Sequence, residues 1–265
     1  MPRRKNNPIA FHIKQQGMTL LEFLISLVLG LFLLTLLSTV YVAIERQHKI
    51  QSDLTALQSH FSIAEKLLSQ ELKQSGYLGC LSIHSIQRLY NATTYALTAA
   101  NKFHVHPGGA ESDMITVWHR SVENSVLLKS MRGLKTLYLS LDFPIDAGDV
   151  LIVSDCDSVD IFQVASVSMI SKSVQKVVSV SSLHKKYNAY ADVGLLERNT
   201  FLVEKTGPSQ YGLYRTNIKG QKIELVPGVQ KMKFFSDQIS GVSMRLELVE
   251  GTLKKIGYSF VGIRM

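Results

Sequence analysis

A chain of 265 residues, 46% hydrophobic and 19% charged, excludes global disorder and supplies enough apolar side chain for a large packed core. The formal net charge of +8 does not mark a nucleic-acid binder, because Arg3, Arg4, Lys5 and Lys14 all precede the first acid, Glu22. The remaining charge is spread thinly, with no long basic run and no RNP-type or zinc-finger spacing, so no specific nucleic acid is expected as a partner.

The first 17 residues are a basic leader, and 18–44 is an apolar run. From 23 to 44 there is no charge, and at 1.5 Å per residue that is roughly 33 Å of helix, enough to cross a hydrocarbon core of about 30 Å. The leading cations predict a cytoplasmic N-terminus with the rest of the chain beyond the membrane. The run is too long for the apolar region of a secretory signal, and no small-x-small cleavage site follows it. Glu22 is the anomaly. A carboxylate near a bilayer midplane costs about 2.5–3.5 kcal/mol, and less near the interface. Taken alone, it reads as an acid favoured by the dipole at a helix N-terminus.

After Ile44 the pattern turns amphipathic. Ile50, Leu54, Leu57, Phe61, Ala64, Leu68 and then Glu71 with Leu72 step by three and four, with Gln, Ser, Lys, Asp and Glu between them. No Pro or Gly interrupts 45–75, and Gly76 supplies a stop. The spacing predicts one helix over 18–75, its second part (45–76) laying an apolar stripe on a globular domain. Two separate helices are the alternative.

From 77 to 265 the period falls to two. Strands are expected at 114–118, 150–154, 160–166, 174–180, 201–205, 212–215, 231–236, 242–249 and 256–261, rich in Val, Ile, Phe and Tyr and bounded by Gly, Asp, Ser or Pro. The segment 101–112, with Pro107-Gly108-Gly109, reads as an exposed loop, and 181–197 has no clear period. The fold class is α+β: a long N-terminal helix on a mostly antiparallel sheet.

No catalytic or nucleotide-binding motif of the GxSxG, GxxxxGK[ST], HExxH or GxGxxG kind is present, and the chain is expected to be no enzyme and to need no cofactor. His104, His106 and His119 read as solvated loop histidines rather than a metal site. Asp155, Asp157 and Asp160 read as an acidic turn between strands, because the register fails a calcium-loop pattern. Tyr187, Tyr190, Tyr211 and Tyr214 read as strand-face or surface aromatics, and Asn91-Ala92-Thr93 is a sequon of little weight. Cys80 and Cys156 are too few for a zinc site. They form a disulfide if the domain is exported, and are free thiols if it is cytosolic.

The string Gly17-Met18-Thr19-Leu20-Leu21-Glu22, after a basic leader and before the apolar run, resembles the class III signal of type IV pilins and related pseudopilins. The resemblance implies cleavage by a prepilin peptidase between Gly17 and Met18, N-methylation of Met18, and an assembly role for Glu22. Met18 departs from the usual Phe, and the Pro that many members carry in the membrane helix is missing from 18–44. Three further blocks resemble PilW-type minor pilins: Leu72-Lys73-Gln74-Ser75-Gly76-Tyr77-Leu78-Gly79-Cys80; Gly148-Asp149-Val150-Leu151-Ile152-Val153-Ser154-Asp155-Cys156 with Asp160-Ile161-Phe162-Gln163-Val164; and Val226-Pro227-Gly228-Val229-Gln230-Lys231-Met232 with Phe234.

That resemblance implies a pilin-like subunit held in the bacterial inner membrane and then drawn into a type IV pilus. It would prime assembly and serve adhesion, twitching motility and DNA uptake. The implied partners are other minor pilins, the major pilin, a tip adhesin and inner-membrane lipid. It also places Cys80 and Cys156 in blocks that would meet as a disulfide, closing a loop of about 77 residues worth roughly 4.5 kcal/mol of chain entropy. Two other readings stay open: a pseudopilin of a type II secretion system, and a signal-anchored periplasmic enzyme or binding protein.

Overall fold

The computed structural model describes residues 20–79, 89–90, 103–108, 112–155, 157–207, 210–237 and 241–262, without the side chains of 89, 236 and 237. Gly17, Met18, Cys80, Cys156 and the sequon at 91–93 therefore lie outside the described residues. The chain divides into two compact units, 1–52 and 53–265.

In the first unit the described residues are helical. They belong to α1 (Leu20–Gln74), which has Glu22 in its first turn and Lys73 in its last, matching the helix dipole at both ends. Leu, Phe, Ile and Val dominate its start, and no described residue there is buried.

In the second unit α1 shows the expected stripe. Leu57, Ala64, Leu68 and Leu72 are buried and Phe61 is packed against the core, whereas Leu54 is exposed. The helix ends where the sequence predicts. Gly76 takes φ 76°, which a residue without Cβ adopts cheaply, and its N–H donates to the Trp118 carbonyl at 2.8 Å.

Thirteen described strands follow, in two sheets. The first holds β1 (Leu89–Tyr90), β2 (Phe103–Pro107), β3 (Asp113–Val126), β4 (Thr136–Ser140), β5 (Val150–Ser154), β6 (Val159–Ser171), β7 (Val174–Ser179), β8 (Asp192–Lys205), β9 (Tyr211–Thr216) and β10 (Lys222–Pro227). Its order is β10-β9-β8-β5-β6-β7-β4, with β3 on β8, β2 on β3 and β1 parallel to β6. Every other described pairing is antiparallel. The second sheet is β11 (Val229–Asp237), β12 (Gly241–Glu250) and β13 (Leu253–Gly262), in that order.

Each expected strand is present, and most are longer than the apolar run that announced them. Central strands keep pairing through polar residues because their backbone groups need partners whatever the side chains are. The segment 101–112 is not simply a loop: its middle is β2, paired to β3 from Phe103↔Val117 to Pro107↔Asp113. β8 begins at Asp192, inside the segment 181–197 that has no clear period. β4 and β10 also form, outside the expected strands; β4 alternates, with Leu137 and Leu139 buried between half-buried Thr136, Tyr138 and Ser140.

The main core lies between the helix and both sheets. Leu57, Ala64, Leu68 and Leu72 meet Ile115, Val117 and Phe201 of the first sheet and Met232, Phe234, Met244, Leu246 and Leu248 of the second. Burying a Leu-sized side chain contributes about 1.5–3 kcal/mol, so this stripe fastens the domain to the helix. The fit is close at one point, where a Cβ on Gly257 of β13 would lie 2.1 Å from the Phe61 ring. A second core fills the other end of the large sheet around Leu139, Leu151, Phe162, Val177 and Tyr187.

Candidate functional site: the apolar helix and the junction of helix and sheet

The first part of α1 is long and apolar enough to cross a membrane, with a window of mean hydropathy 2.6. Three of its hydroxyls turn inward on their own helix. Ser26 Oγ donates to the Phe23 carbonyl at 2.8 Å, Thr35 Oγ1 to the Phe32 carbonyl at 2.7 Å, and Thr39 Oγ1 to the Leu36 carbonyl at 2.8 Å. A hydroxyl bonded this way needs nothing from its surroundings, which suits hydrocarbon. Glu22 sits in the first turn.

At the other end, α1 is tied to β3 by a polar cluster within the second unit. Glu71 is on the last turns of the helix and His119 is on β3. His119 Nε2 lies 3.3 Å from Glu71 Oε2, and its Nδ1 lies 3.0 Å from the Arg120 carbonyl. Asn199 Nδ2 of β8 donates to the same Glu71 oxygen at 3.2 Å, and Glu197 lies 4.0 Å from Nε2. Both ring nitrogens face acceptors, so the imidazolium satisfies the site fully and the neutral ring does not. Burial pulls the His119 pKa down, but the bonds to Glu71 and to the Arg120 carbonyl and the charges of Glu71 and Glu197 outweigh it, and the value is raised. Burial likewise pushes Glu71 up, and the bonds from His119 and Asn199 bring it below its ordinary value.

Beside this pair the turn after the helix is held again. Arg120 N–H donates to the Tyr77 carbonyl at 2.7 Å. The Arg120 guanidinium donates to Asp192 Oδ1 at 2.8 Å and to the Tyr77 hydroxyl at 3.2 Å, and lies over the Tyr77 ring.

The remaining candidates fall into two groups. His104 and His106 are on β2, with ring centroids 3.9 Å apart, rather than in a solvated loop, and His119 is buried. Among the described residues no group of His, Cys, Asp and Glu is arranged to hold a metal. Asp155 does form a turn, accepting from the Asp157 and Ser158 amides, with Lys185 Nζ at 2.6 Å. Asp160 does not belong to it. It is fully buried on β6, accepting from His184 Nδ1 at 2.6 Å and from the Tyr187 hydroxyl at 3.0 Å. Tyr187 is thus a core residue, its pKa pushed up by burial and by the Asp160 charge, whereas Tyr190 is exposed. Sequence reasoning missed the Glu71–His119 and Asp160–His184 pairs. Their signal was faint: Glu71 stands on the apolar side of an amphipathic helix.

An open groove of about 820 Å³ on the large sheet is crossed by the Lys219–Asp149 ion pair at 2.7 Å. The second Asp149 oxygen accepts from the Asp146 amide, so this carboxylate is structural.

No known family model matches the chain, and no curated protein matches it. Among solved structures, the phage phi92 endosialidase matches over 66% of this chain and 38% of its own, at 10% identity and a TM-score of 0.21. This chain spans well under half the length of that protein, and a likeness of that degree carries no argument about fold or activity.

Proposed function

We propose that the chain is a minor pilin of the PilW type, which primes assembly of a type IV pilus and is incorporated into it. The observation that supports this reading is the order of features along a single helix. An acid stands in the first turn, an uncharged stretch with self-satisfied hydroxyls follows, and the last turns bury Leu57, Ala64, Leu68 and Leu72 in a β domain. One element then serves as membrane anchor, fibre core and seat of the domain.

In this mechanism a prepilin peptidase cuts between Gly17 and Met18 on the cytoplasmic side, and the new amine on Met18 is methylated. A residue without Cβ at 17 lets the peptidase approach the backbone. Glu22 then pairs with the amine of a neighbouring subunit and sets the axial register, since a buried carboxylate needs a counter-charge. The domain stays on the periplasmic side until the subunit leaves the membrane for the fibre. Load passes from helix to domain through the stripe and through the bonds among Glu71, His119, Gly76, Trp118, Arg120 and Tyr77. Contacts with other minor pilins, the major pilin and a tip adhesin follow from this role, which requires no catalysis.

The test is the mass of the N-terminal peptide from native membranes. A peptide beginning at Met18 with one added methyl group supports the reading. An N-terminus that retains Arg3 to Gly17 overturns it.

A further inference from the structure

β2 and β3 bring three metal-binding side chains to one face. Alternate residues of an extended strand share a face. Phe103 and Val105 of β2 pack against the main core, and Ile115 and Val117 of β3 are buried in it. His104 and His106 therefore stand on the outward face of β2, and Met114 and Thr116 on the outward face of β3. The ladder sets His106 opposite Met114 and His104 opposite Thr116. Opposite residues hold their Cβ atoms about 5 Å apart and diagonal ones about 7–8 Å, which a long side chain spans.

The two imidazoles lean together. Two residues along a strand advance about 7 Å. The ring centroids of His104 and His106 are nevertheless only 3.9 Å apart, edge to face. Both rings thus reach one spot on the outward face. His104 is exposed, and His106 and Met114 are half-buried, so that spot is open to solvent. The Thr116 hydroxyl is taken by Thr200 Oγ1 at 3.0 Å, and the Met114 thioether is the third donor beside the pair. Because β2 is paired to β3 over its whole length, the spacing of the donors is set before any ion arrives, and little ordering is left to oppose binding.

The donor set selects the metal. Calcium and magnesium take oxygen ligands, and a structural zinc site takes four ligands from Cys, His and carboxylates. Among the described residues no Asp, Glu, Cys or further His completes such a group with this pair. Imidazole suits several transition metals, whereas thioether sulfur favours Cu(I). A singly charged d10 ion also accepts a low coordination number and needs no carboxylate to neutralise it.

We infer that His104, His106 and Met114 form a Cu(I) site on the outward face of the β domain. The two imidazoles supply nitrogen ligands, and the Met114 sulfur distinguishes Cu(I) from Zn2+. The inference does not depend on the pilin reading.

The experiment uses the full chain in detergent micelles, without tag histidines and with any free thiols alkylated beforehand. Under anaerobic conditions Cu(I) is titrated in competition with bicinchoninate, and absorbance reports the copper withdrawn. One Cu(I) per chain is expected. His104→Ala and His106→Ala should each weaken it at least about tenfold, since even groups outside the ligand shell are worth that much. Met114→Leu should weaken Cu(I) by a similar factor and leave Cu2+ affinity nearly unchanged. In wild type, Ag(I) as a diamagnetic stand-in should shift the imidazole NMR signals of His104 and His106 before those of the other histidines, which tests the site without any substitution. Absence of binding, or Cu(I) affinity unchanged in both histidine variants, overturns the inference. Unchanged Cu(I) affinity in Met114→Leu, Zn2+ held as tightly as Cu(I), or Ag(I) shifts confined to other histidines overturns it as well.

Discussion

Buried His119 and half-buried Glu71 form a pair across the joint between the helix and the sheet, with Nε2 3.3 Å from Oε2. Because the other ring nitrogen faces the Arg120 carbonyl, the pair is complete only when the imidazole is charged and the carboxyl is not protonated.

Stability should therefore follow pH in a defined direction. The folded-state pKa of His119 is raised above its ordinary 6.5, so its contribution is full below that value and is lost as pH rises through the folded value. The folded-state pKa of Glu71 is lowered below its ordinary 4.5, so its contribution is full above 4.5 and is lost as pH falls through the folded value. Thermal unfolding of wild type and of His119→Gln across this range should differ most between pH 4.5 and 6.5 and converge as pH rises. A constant difference across the range would show that the pair does not titrate as its geometry requires.

His119→Leu should be costly at any pH at which Glu71 is ionised. It leaves a largely buried carboxylate with the Asn199 amide in place of two donors, a loss of about 1–3 kcal/mol. Denaturant unfolding checks this, and Glu71→Leu in the same background should recover part of the loss, because removing both polar partners is cheaper than removing one.

Gly257 is required by Phe61. A Cβ at 257 would stand 2.1 Å from the ring, so Gly257→Ala should cost about 1–3 kcal/mol by overpacking. Phe61→Ala combined with Gly257→Ala should be less unstable than the sum of the two changes, and a double-mutant cycle reads the difference directly.

Leu68→Ala should lower domain stability by about 2–5 kcal/mol, because Leu68 is 1% exposed and its loss opens a cavity in the main core. Leu34→Ala, in the apolar part of the helix where the side chain is 63% exposed, should leave domain unfolding unchanged. Unfolding midpoints of the two variants in the same detergent make the comparison.

Under the pilin reading, Glu22→Ala should insert and be cleaved yet enter pili poorly, and Gly17→Val should retain the leader. Immunoblots of membranes and sheared pili separate the two effects. Normal incorporation of Glu22→Ala would remove the register role. Non-reducing peptide mapping should find Cys80 joined to Cys156, and alkylation of both thiols would exclude the bond.

Much of the architecture is legible in the sequence because it depends on neighbours a few residues apart. The uncharged run, the three-and-four stepping from Leu57 to Leu72 and the glycine at 76 specify the helix, its buried face and its end. Alternating Val, Ile and Phe locate the cores of β5, β7, β12 and β13 to within a few residues. What periodicity cannot report is which distant strand completes a ladder. β2 is set in register by β3, and β4 by β7, a partner that stands far from it in the chain. The same limit hid the charged pairs. Glu71 and His119 are 48 residues apart, Asp160 and His184 are 24, and whether such groups sit in water or in a core is decided when the sheet closes on the helix. That β13 pairs with β12 alone among the described strands is likewise a property of the assembled sheet. A strand that alternates well announces that it pairs, and only tertiary structure decides on which side, because backbone groups carry no sequence signal of their own.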